Sequence, residues 1–369
     1  MTRRVSVTGA NGFIGRNLVL QLQERGVEVV KIAHEWTVDR MAVAIEGSEM
    51  LYHCAGVNRP LNDKEFVDGN VGMTDRVCRA LKDAGRAIPV IYTSSIQAEG
   101  DNAYGKSKRA AEHVILDYGQ LTGASCQIYR LPNVFGKWAR PDYNSVVATF
   151  CDNIINNRTI EIHDSAAPLQ LLYIDDVVAE FIERLDRPVL GQGFLGVSPI
   201  YSTTVGDLAE RLYSFKRSRE TLTPGSVGQG LDRALYATYL SYMKPEEFSY
   251  DLTVHRDHRG AFAEMLRTEA SGQFSFFTAR PGVTRGGHYH HTKNEKFLVV
   301  HGEARFGFRN VLTDATFEVF VSATTPQVVE SVPGWAHEIT NISQDTMVVL
   351  LWANETFDAQ KPDTIAARV

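Results

Sequence analysis

Tyr104 and Lys108 have the residue types and the spacing of an acid that serves a carbonyl reduction. Residues four apart lie on one face of a helix, so the Lys108 ammonium can lower the pKa of the Tyr104 phenol while it holds the ribose of a nicotinamide cofactor. Upstream, the run Thr93-Ser94-Ser95 ends a strand-like segment, where a hydroxyl can polarise the same carbonyl. A solvated helix face gives the same spacing, but a glycine loop and the serine run precede it in the chain, and the combination favours the functional interpretation.

That glycine loop, Gly9-Ala-Asn-Gly12-Phe-Ile-Gly15, follows the first strand-like run and opens a helix. Its glycines let the backbone approach a pyrophosphate, and the helix N-terminus supplies free N–H groups. A tight strand-to-helix turn is the alternative, but the strand-loop-helix context favours dinucleotide binding. About 20 residues further on, a carboxylate would select a free ribose hydroxyl and a basic group a 2′-phosphate. The corresponding residues His34 and Glu35 leave that choice open.

The last third of the chain holds seven of its eleven histidines. His288 and His290 are two apart, so on a strand both imidazoles point to the same face, and the next strand can bring Glu295 across from them. A return segment offers His337 as a third imidazole. Three histidines and a carboxylate suit zinc, iron, manganese or nickel, so the ligands alone do not choose the metal. The alternative is a set of histidines that are hydrogen-bonded within a core.

The predicted secondary structure changes along the chain. From residue 3 to about 245, short β-branched runs alternate with helical periods, which predicts an α/β fold with a doubly wound, Rossmann-type parallel sheet. Beyond about residue 250, strand-like stretches are separated by Gly, Pro and Asn turns, which predicts an all-β barrel. We place the boundary at the Lys244-Pro-Glu-Glu-Phe segment, giving domains at 1–245 and 246–369.

Composition limits the class of partner. The chain has 369 residues, 44% of them hydrophobic and 22% charged, which is typical of a soluble folded protein. No apolar run approaches the roughly 18 residues of a membrane span, and the net charge of −6 disfavours nucleic acid, so a small ligand is expected. The N-terminus lacks an apolar signal core and the cysteines lack framework spacing, which predicts a cytoplasmic protein with reduced thiols at Cys54, Cys78, Cys126 and Cys151.

The first domain resembles the extended short-chain dehydrogenase/reductases that act on nucleotide sugars, through His53-Cys-Ala-Gly56, Arg130-Leu-Pro-Asn133-Val-Phe-Gly136 and Tyr173-Ile-Asp-Asp-Val177. The resemblance implies a catalytic triad of Ser95, Tyr104 and Lys108, with Ser94 as the alternative serine. The substrate contacts it implies are Ser94, Arg130 and Asn133. The cofactor contacts it implies are Gly9, Asn11, Gly12, Phe13, Ile14, Gly15, His34, Cys54, Ala55, Gly56, Asn70, Tyr104 and Lys108.

The second domain is similar to the cupin (jelly-roll) barrels, through Gly282, His288-Tyr-His290, Glu295 and Gly302, then Pro333-Gly-Trp-Ala-His337 and Asn341. The segment 257–264, Arg285-Gly-Gly-His288 and Val332-Pro-Gly-Trp-Ala-His337 also resemble metal-free cupins that epimerise 4-keto nucleotide sugars. In those enzymes the residue like His288 is the base. A coordinated nitrogen has no free lone pair, so His288 is either a metal ligand, with His290, Glu295 and His337, or the base. If it is a ligand, the base must be sought at His291 or Lys296.

Across almost its whole length the chain resembles the bifunctional CapF-type enzymes of capsular polysaccharide synthesis. The longest shared segments are Ala55-Gly-Val-Asn-Arg-Pro60, Ser94-Ser-Ile-Gln97, Tyr143-Asn-Ser-Val, Ser241-Tyr, His290-His-Thr-Lys-Asn-Glu-Lys-Phe-Leu-Val-Val300 and Lys361-Pro-Asp-Thr364. The resemblance implies that the barrel epimerises C3 of a UDP-linked 2-acetamido-2,6-dideoxy-4-hexulose and that the first domain reduces C4 with NADPH to the 6-deoxytalose product. It also implies Zn²⁺ and a homodimer formed through the barrel. Glu35 departs from the pattern expected for NADPH.

Two other classes compete with this interpretation. One is a sensor whose reductase-like domain binds the nucleotide without turnover, which the complete Ser95, Tyr104 and Lys108 set disfavours. The other is a cupin dioxygenase fused to a reductase, which would require iron and oxygen.

Overall fold

The computed structural model describes residues 3–60, 62–253, 255–257, 260–262, 265–266, 272–355 and 360–369. The helices are α1 (Phe13–Glu24), α2 (Val38–Ile45), α3 (Asp63–Phe66), α4 (Met73–Asp83), α5 (Ala103–Thr122), α6 (Val146–Ile155), α7 (Ile174–Asp186), α8 (Val205–Thr221) and α9 (Gly230–Leu240). The strands are β1 (Arg4–Thr8), β2 (Glu28–Ile32), β3 (Met50–His53), β4 (Val90–Ser95), β5 (Cys126–Leu131), β6 (Asn133–Phe135), β7 (Pro168–Tyr173), β8 (Gln192–Leu195), β9 (Ile200–Thr204), β10 (Ser249–Asp251), β11 (His255–Asp257), β12 (Gly260–Phe262), β13 (Gln273–Ala279), β14 (Thr284–Tyr289), β15 (Glu295–His301), β16 (Glu303–Asn310), β17 (Thr316–Ser322), β18 (Gln327–Glu330), β19 (Trp335–Asn341), β20 (Met347–Ala353) and β21 (Ile365–Ala366).

The chain divides into two compact units. The first unit comprises Met1–Phe135, Asp142–Ser145 and Leu169–Thr203. The second unit comprises Gly136–Pro141, Val146–Pro168 and Thr204–Val369. Among the helices of the described ranges, none combines the length and the apolar character that crossing a membrane demands.

The first unit is built on a six-stranded parallel sheet in the order β2-β1-β3-β4-β5-β8. Val5 and Ser6 point to opposite faces of β1 and are both fully buried, because both faces of the sheet are covered, as the β-branched runs predicted. Helix α5 begins where the Asn102 side chain accepts a hydrogen bond from Gly105 N, and it ends at Gly123 with a φ of 76°. The predicted Rossmann-type sheet is therefore confirmed.

The strand order of this sheet determines where a ligand fits. β2 and β3 lie on opposite sides of β1, so the connections that follow β1 and β3 diverge at the carboxyl edge of the sheet. Open α/β sheets bind their ligands at such a switch point. The glycine loop follows β1, and Cys54, Ala55 and Gly56 follow β3.

The second unit contains two five-stranded antiparallel sheets, in the orders β10-β18-β15-β20-β13 and β17-β16-β19-β14-β21. These sheets agree with the predicted β domain, and its assignment as a cupin stays a prediction. Helices α6, α8 and α9 belong to the same compact unit. The predicted boundary between 245 and 246 stays a prediction as well. Residues 258, 259, 263 and 264 of the epimerase-like segment lie outside the described residues.

A buried ionic cluster connects α8 with two strands of the second unit. The Glu330 carboxylate on β18 accepts hydrogen bonds from Lys296 Nζ on β15 and from Arg219 Nη2 on α8. The side chains of Lys296 and Glu330 are 3% and 1% exposed. Burial alone would lower the pKa of Lys296, but the Glu330 carboxylate raises it above its ordinary value. Each charge of the cluster therefore depends on its partners.

Replacing Glu330 with glutamine should destabilise the folded chain by about 3–5 kcal/mol, because two buried cations would lose their counter-ion. The matched control is Glu318→Gln, which removes a half-exposed carboxylate bound to Arg305 at 2.6 Å and should cost no more than about 1 kcal/mol. Urea unfolding followed by tryptophan fluorescence compares the two variants. Equal shifts in both would contradict the assigned role of the cluster.

Candidate active site and metal centre

The glycine loop forms a tight turn against the end of β3. Gly9 has a φ of 65°, and a Cβ added there would lie 2.6 Å from Ala55 N. A Cβ on Gly15 would lie 2.1 Å from Gly9 O, so both positions exclude a side chain. Gly12 N donates to Gly9 O at 2.8 Å, and α1 starts at the next residue. The first turn of α1 thus opens at the carboxyl edge of the sheet, which suits a pyrophosphate.

The other residues predicted to contact the cofactor surround this turn. Asn11 and Gly12 are exposed, whereas Phe13 and Ile14 are partly buried at the start of α1. Asn70 holds the chain after Gly56, because its side chain accepts from Val57 N at 2.8 Å and donates to Val57 O at 3.0 Å. Burial raises the pKa of Cys54 to about 12, so its thiol stays protonated.

The structure brings Ser95 at the end of β4 together with Tyr104 at the start of α5. Burial raises the pKa of Tyr104, and a hydrogen bond with the Ser95 side chain lowers it in part. The net direction is upward, so the phenol is protonated at neutral pH and has a proton to donate. Ser95 is favoured over Ser94, whose Oγ donates to Glu112 Oε1 at 2.5 Å.

Lys108 lies one turn further along α5 and is almost completely buried. Its Nζ donates to Thr93 O at 2.7 Å and lies 4.5 Å from the centre of the Tyr92 ring. Burial lowers the pKa of Lys108 to about 8. The sequence predicted that Lys108 lowers the pKa of the Tyr104 phenol. In the structure that pKa is raised by burial, and the contribution that lowers it in part comes from Ser95. Lys108 Nζ is instead held against β4.

Two of the residues predicted to bind substrate take part in a buried ionic cluster. Arg130 donates to both carboxylate oxygens of Glu112, from Nε at 3.0 Å and from Nη2 at 2.7 Å. The Glu112 side chain is 2% exposed and also accepts from Ser94. Arg130 and Ser94 therefore satisfy a buried carboxylate, a role that sequence reasoning missed. Asn133 is exposed at the start of β6. The substrate contacts of all three residues stay predictions.

Two guanidinium groups lie at the end of β2, where the adenosine ribose is expected. His34 and Glu35 are exposed, and their side chains pair with each other at 3.0 Å. Arg76 Nη2, from α4, donates to the backbone oxygens of His34 and Trp36. The Arg40 guanidinium lies 4.2 Å from the centre of the Trp36 ring. Folding thus brings positive charge close to Glu35.

In the second unit, the four predicted metal ligands meet. His288, His290, Glu295 and His337 each offer one ligand atom, and these atoms lie within 4.8 Å of one another. Glu295 Oε2 lies 3.0 Å from His290 Nε2 and 3.3 Å from His337 Nε2. Three imidazoles and one carboxylate at this spacing fit a divalent transition metal.

The protonation of these groups also suits a metal. Burial, with the neighbouring His337 and His290, lowers the pKa of His288 to about 4. Burial would raise the pKa of Glu295, but its hydrogen bonds with His290 and His337 hold it well below the ordinary value. A neutral imidazole and an ionised carboxylate are the forms that bind metal. His288 is equally neutral for the alternative role of a base.

The two other base candidates have different surroundings. Lys296 is paired with Glu330, and its raised pKa keeps it protonated. The ring centres of His291 and Tyr289 are 5.4 Å apart. Tyr289 follows His288 on β14, so the side chains of Tyr289 and His288 point to opposite faces of the sheet. This geometry favours neither of them as a base.

Sequence reasoning missed two further residues at the candidate metal centre. Lys293 Nζ lies 2.9 Å from Glu295 Oε1, the oxygen that the imidazoles do not contact. Asp363 contacts both His290 and the turn that follows it. The one signal for Asp363 was its place in the shared Lys361-Pro-Asp-Thr364 segment.

Comparison with known proteins adds to this geometry. Residues 5–193 match the NAD dependent epimerase/dehydratase family, and residues 255–365 match the polysaccharide biosynthesis C-terminal domain. The chain is 55% identical over 367 residues to UDP-2-acetamido-2,6-beta-L-arabino-hexul-4-ose reductase of Pseudomonas aeruginosa, covering 99% of each chain. Over 56% of its length it shares the fold of MoeE5 in complex with UDP-glucose and NAD, with 22% identity, a TM-score of 0.51, and coverage of 80% of that chain.

The crystal structure of the capsular polysaccharide assembling protein CapF from Staphylococcus aureus is similar over both parts. The two chains are 39% identical, the TM-score is 0.67, and the match covers 99% of this chain and 100% of that one. Full-length similarity of this kind, with both family matches, shows that this chain belongs to the CapF-type family of capsular polysaccharide synthesis enzymes.

Proposed function

We propose that this chain makes a capsular or surface polysaccharide precursor in two steps. Its C-terminal domain, a zinc-binding cupin, epimerises C3 of a UDP-linked 2-acetamido-2,6-dideoxy-4-hexulose, and its N-terminal domain reduces C4 with NADPH to UDP-N-acetyl-6-deoxytalose. The observation that carries the reduction is the pairing of Ser95 with Tyr104 at the sheet edge, beside the glycine turn. The similarity to the Pseudomonas aeruginosa reductase supports the substrate class.

The chemistry of the reduction follows from the charges at the site. NADPH, when bound, supplies the hydride that adds to the C4 carbonyl carbon. Tyr104 donates its phenolic proton to the carbonyl oxygen as negative charge develops there, and Ser95 donates a hydrogen bond to the same oxygen. Lys108 would hold the nicotinamide ribose. The upward shift in the pKa of Tyr104 keeps its proton in place until the carbonyl becomes basic enough to take it.

Tyr104→Phe is expected to lower the rate of NADPH oxidation with the keto sugar by about 10²–10⁴-fold, because the proton donor is lost. The affinity for NADPH, measured by fluorescence titration, should change little, since the aromatic ring at position 104 and its contact with Phe66 remain. Tyr213→Phe, on α8 in the second unit, is the control and should retain full activity. Unchanged turnover in Tyr104→Phe would refute the assignment of the proton donor.

We further propose that Arg40 and Arg76 offset Glu35 and favour the 2′-phosphate of NADPH. The enzyme should then show a higher kcat/KM with NADPH than with NADH. Arg40→Gln should lower the ratio of kcat/KM with NADPH to kcat/KM with NADH by about tenfold, because one hydrogen bond to a charged group is lost. Arg79→Gln, which removes an exposed partner of Asp75, should leave the ratio unchanged. A higher efficiency with NADH in the native enzyme would contradict the proposal.

The epimerisation rests on the acidity of the C3 proton beside the C4 ketone. A base must remove that proton and an acid must return it to the opposite face. A divalent metal, when bound, supplies positive charge beside the enolate oxygen or holds the strands that carry its ligands. His288, with its lowered pKa, has a lone pair for the metal or for the proton. The two roles give different results once the metal is removed.

In deuterated buffer the native enzyme should place solvent deuterium at C3 of the keto sugar without any cofactor. Chelated protein, or His290→Ala, should incorporate little deuterium yet still oxidise NADPH with an already epimerised ketone. His301→Ala, an exposed histidine on β15, is the matched control and should exchange normally. Exchange that survives complete metal removal, checked by elemental analysis, would make His288 the base instead of a ligand.

The other expectations stay predictions. A homodimer through the C-terminal domain and a cytoplasmic location belong to the proposal. A sensor that binds the nucleotide without turnover would need no proton donor, and the pairing of Ser95 with Tyr104 disfavours it. Elemental analysis separates zinc from the iron that a dioxygenase requires.

A further inference from the structure

The end of the chain returns to the strand that carries the first metal ligand. Strand β21 pairs antiparallel with β14, so that Ala366 lies opposite His288 and Ile365 opposite Tyr289. Ala367 N also donates to Gly287 O at 2.9 Å. This pairing brings Asp363, two residues before β21, next to the turn between His290 and Glu295.

The turn is wound around the Asp363 carboxylate. Oδ1 accepts from His291 N at 2.8 Å. Oδ2 accepts from Thr292 N at 2.6 Å, from Lys293 N at 2.8 Å and from Thr292 Oγ1 at 3.0 Å. Burial would raise the pKa of Asp363, but His291 and the backbone N–H groups hold it below its ordinary value, so the carboxylate is ionised. One side chain thus satisfies three consecutive backbone N–H groups.

Asp363 also contacts a candidate metal ligand through its backbone. The Asp363 carbonyl oxygen accepts a hydrogen bond from His290 Nδ1. A carbonyl oxygen accepts a hydrogen bond only from a protonated nitrogen, so Nδ1 carries a proton and Nε2 is the ring nitrogen available to a metal. Nε2 is the atom that lies 3.0 Å from Glu295 Oε2, within the ligand cluster. Metal-binding histidines commonly have their other ring nitrogen held in this way.

We propose that Asp363 is a positioning residue of the metal centre. Its carboxylate sets the turn that separates His290 from Glu295, and its carbonyl sets the tautomer and ring orientation of His290. The inference rests on the metal centre of the proposed function and adds to it a residue that is distant in sequence and is not one of the four candidate ligands. Loss of such an outer partner lowers metal affinity by about 10–100-fold.

The test is competition for Zn²⁺ between a chelator and the full chain. Asp363→Asn keeps the shape of the side chain but replaces one acceptor oxygen with an NH₂ group, which faces backbone N–H donors. Asp314→Asn is the matched control, since the Asp314 side chain is 81% exposed and binds Arg309. Thr292→Val removes a single hydrogen bond to Oδ2 and remains informative if Asp363→Asn folds poorly.

Asp363→Asn should bind Zn²⁺ about 10–100-fold more weakly than Asp314→Asn, and Thr292→Val should show a smaller loss in the same direction. The Co²⁺-loaded protein should show a shifted visible absorption spectrum in Asp363→Asn. Equal Zn²⁺ affinity in Asp363→Asn and Asp314→Asn, or an unchanged Co²⁺ spectrum, would overturn the role of Asp363 alone. A native chain that takes no Zn²⁺ from the chelator would overturn the metal centre itself.

Discussion

Burying a carboxylate removes it from water, and the loss of hydration must be balanced by cations or by hydrogen-bond donors. This chain buries Glu112, Glu295 and Glu330, and each one organises its surroundings. Glu112 fixes Arg130 and Ser94 beside the candidate active site. Glu330 holds Lys296 and Arg219. Glu295 lies among imidazoles, and for that carboxylate a divalent metal is the partner that the donor set fits best.

Strand β15 connects two of these cases. Glu295 and Lys296 are adjacent, so their side chains point to opposite faces of the sheet. One face carries the ligand cluster, and the other carries the ion pair with Glu330 on β18. A change in the register of this strand would expose both charges to the wrong environment. The buried pairs therefore make the position of Glu295, a candidate metal ligand, depend on the packing of the whole sheet.

Local patterns predicted much of this structure. The parallel sheet is predicted from β-branched runs that alternate with helical periods. The glycine turn is predicted from the spacing of Gly9, Gly12 and Gly15, and in the structure a Cβ has no room at Gly9 or Gly15. The meeting of the four candidate ligands agrees with the spacing of His288 and His290 on one strand face. The contacts of Asp363 with His290, of Arg130 with Glu112 and of Arg76 with His34 could not be predicted this way. They join residues that are 73, 18 and 42 positions apart, and no periodic pattern links such distant residues.

We propose that one chain changes two adjacent carbons of one sugar. The decisive measurement is NMR of the product. The native metal-loaded enzyme is incubated with NADPH and a UDP-linked 2-acetamido-2,6-dideoxy-4-hexulose that has not been epimerised. We expect a product with an inverted C3 and a hydroxyl at C4. A product reduced at C4 with its original C3 configuration would refute the two-step proposal, because the C-terminal domain would then have no part in the chemistry.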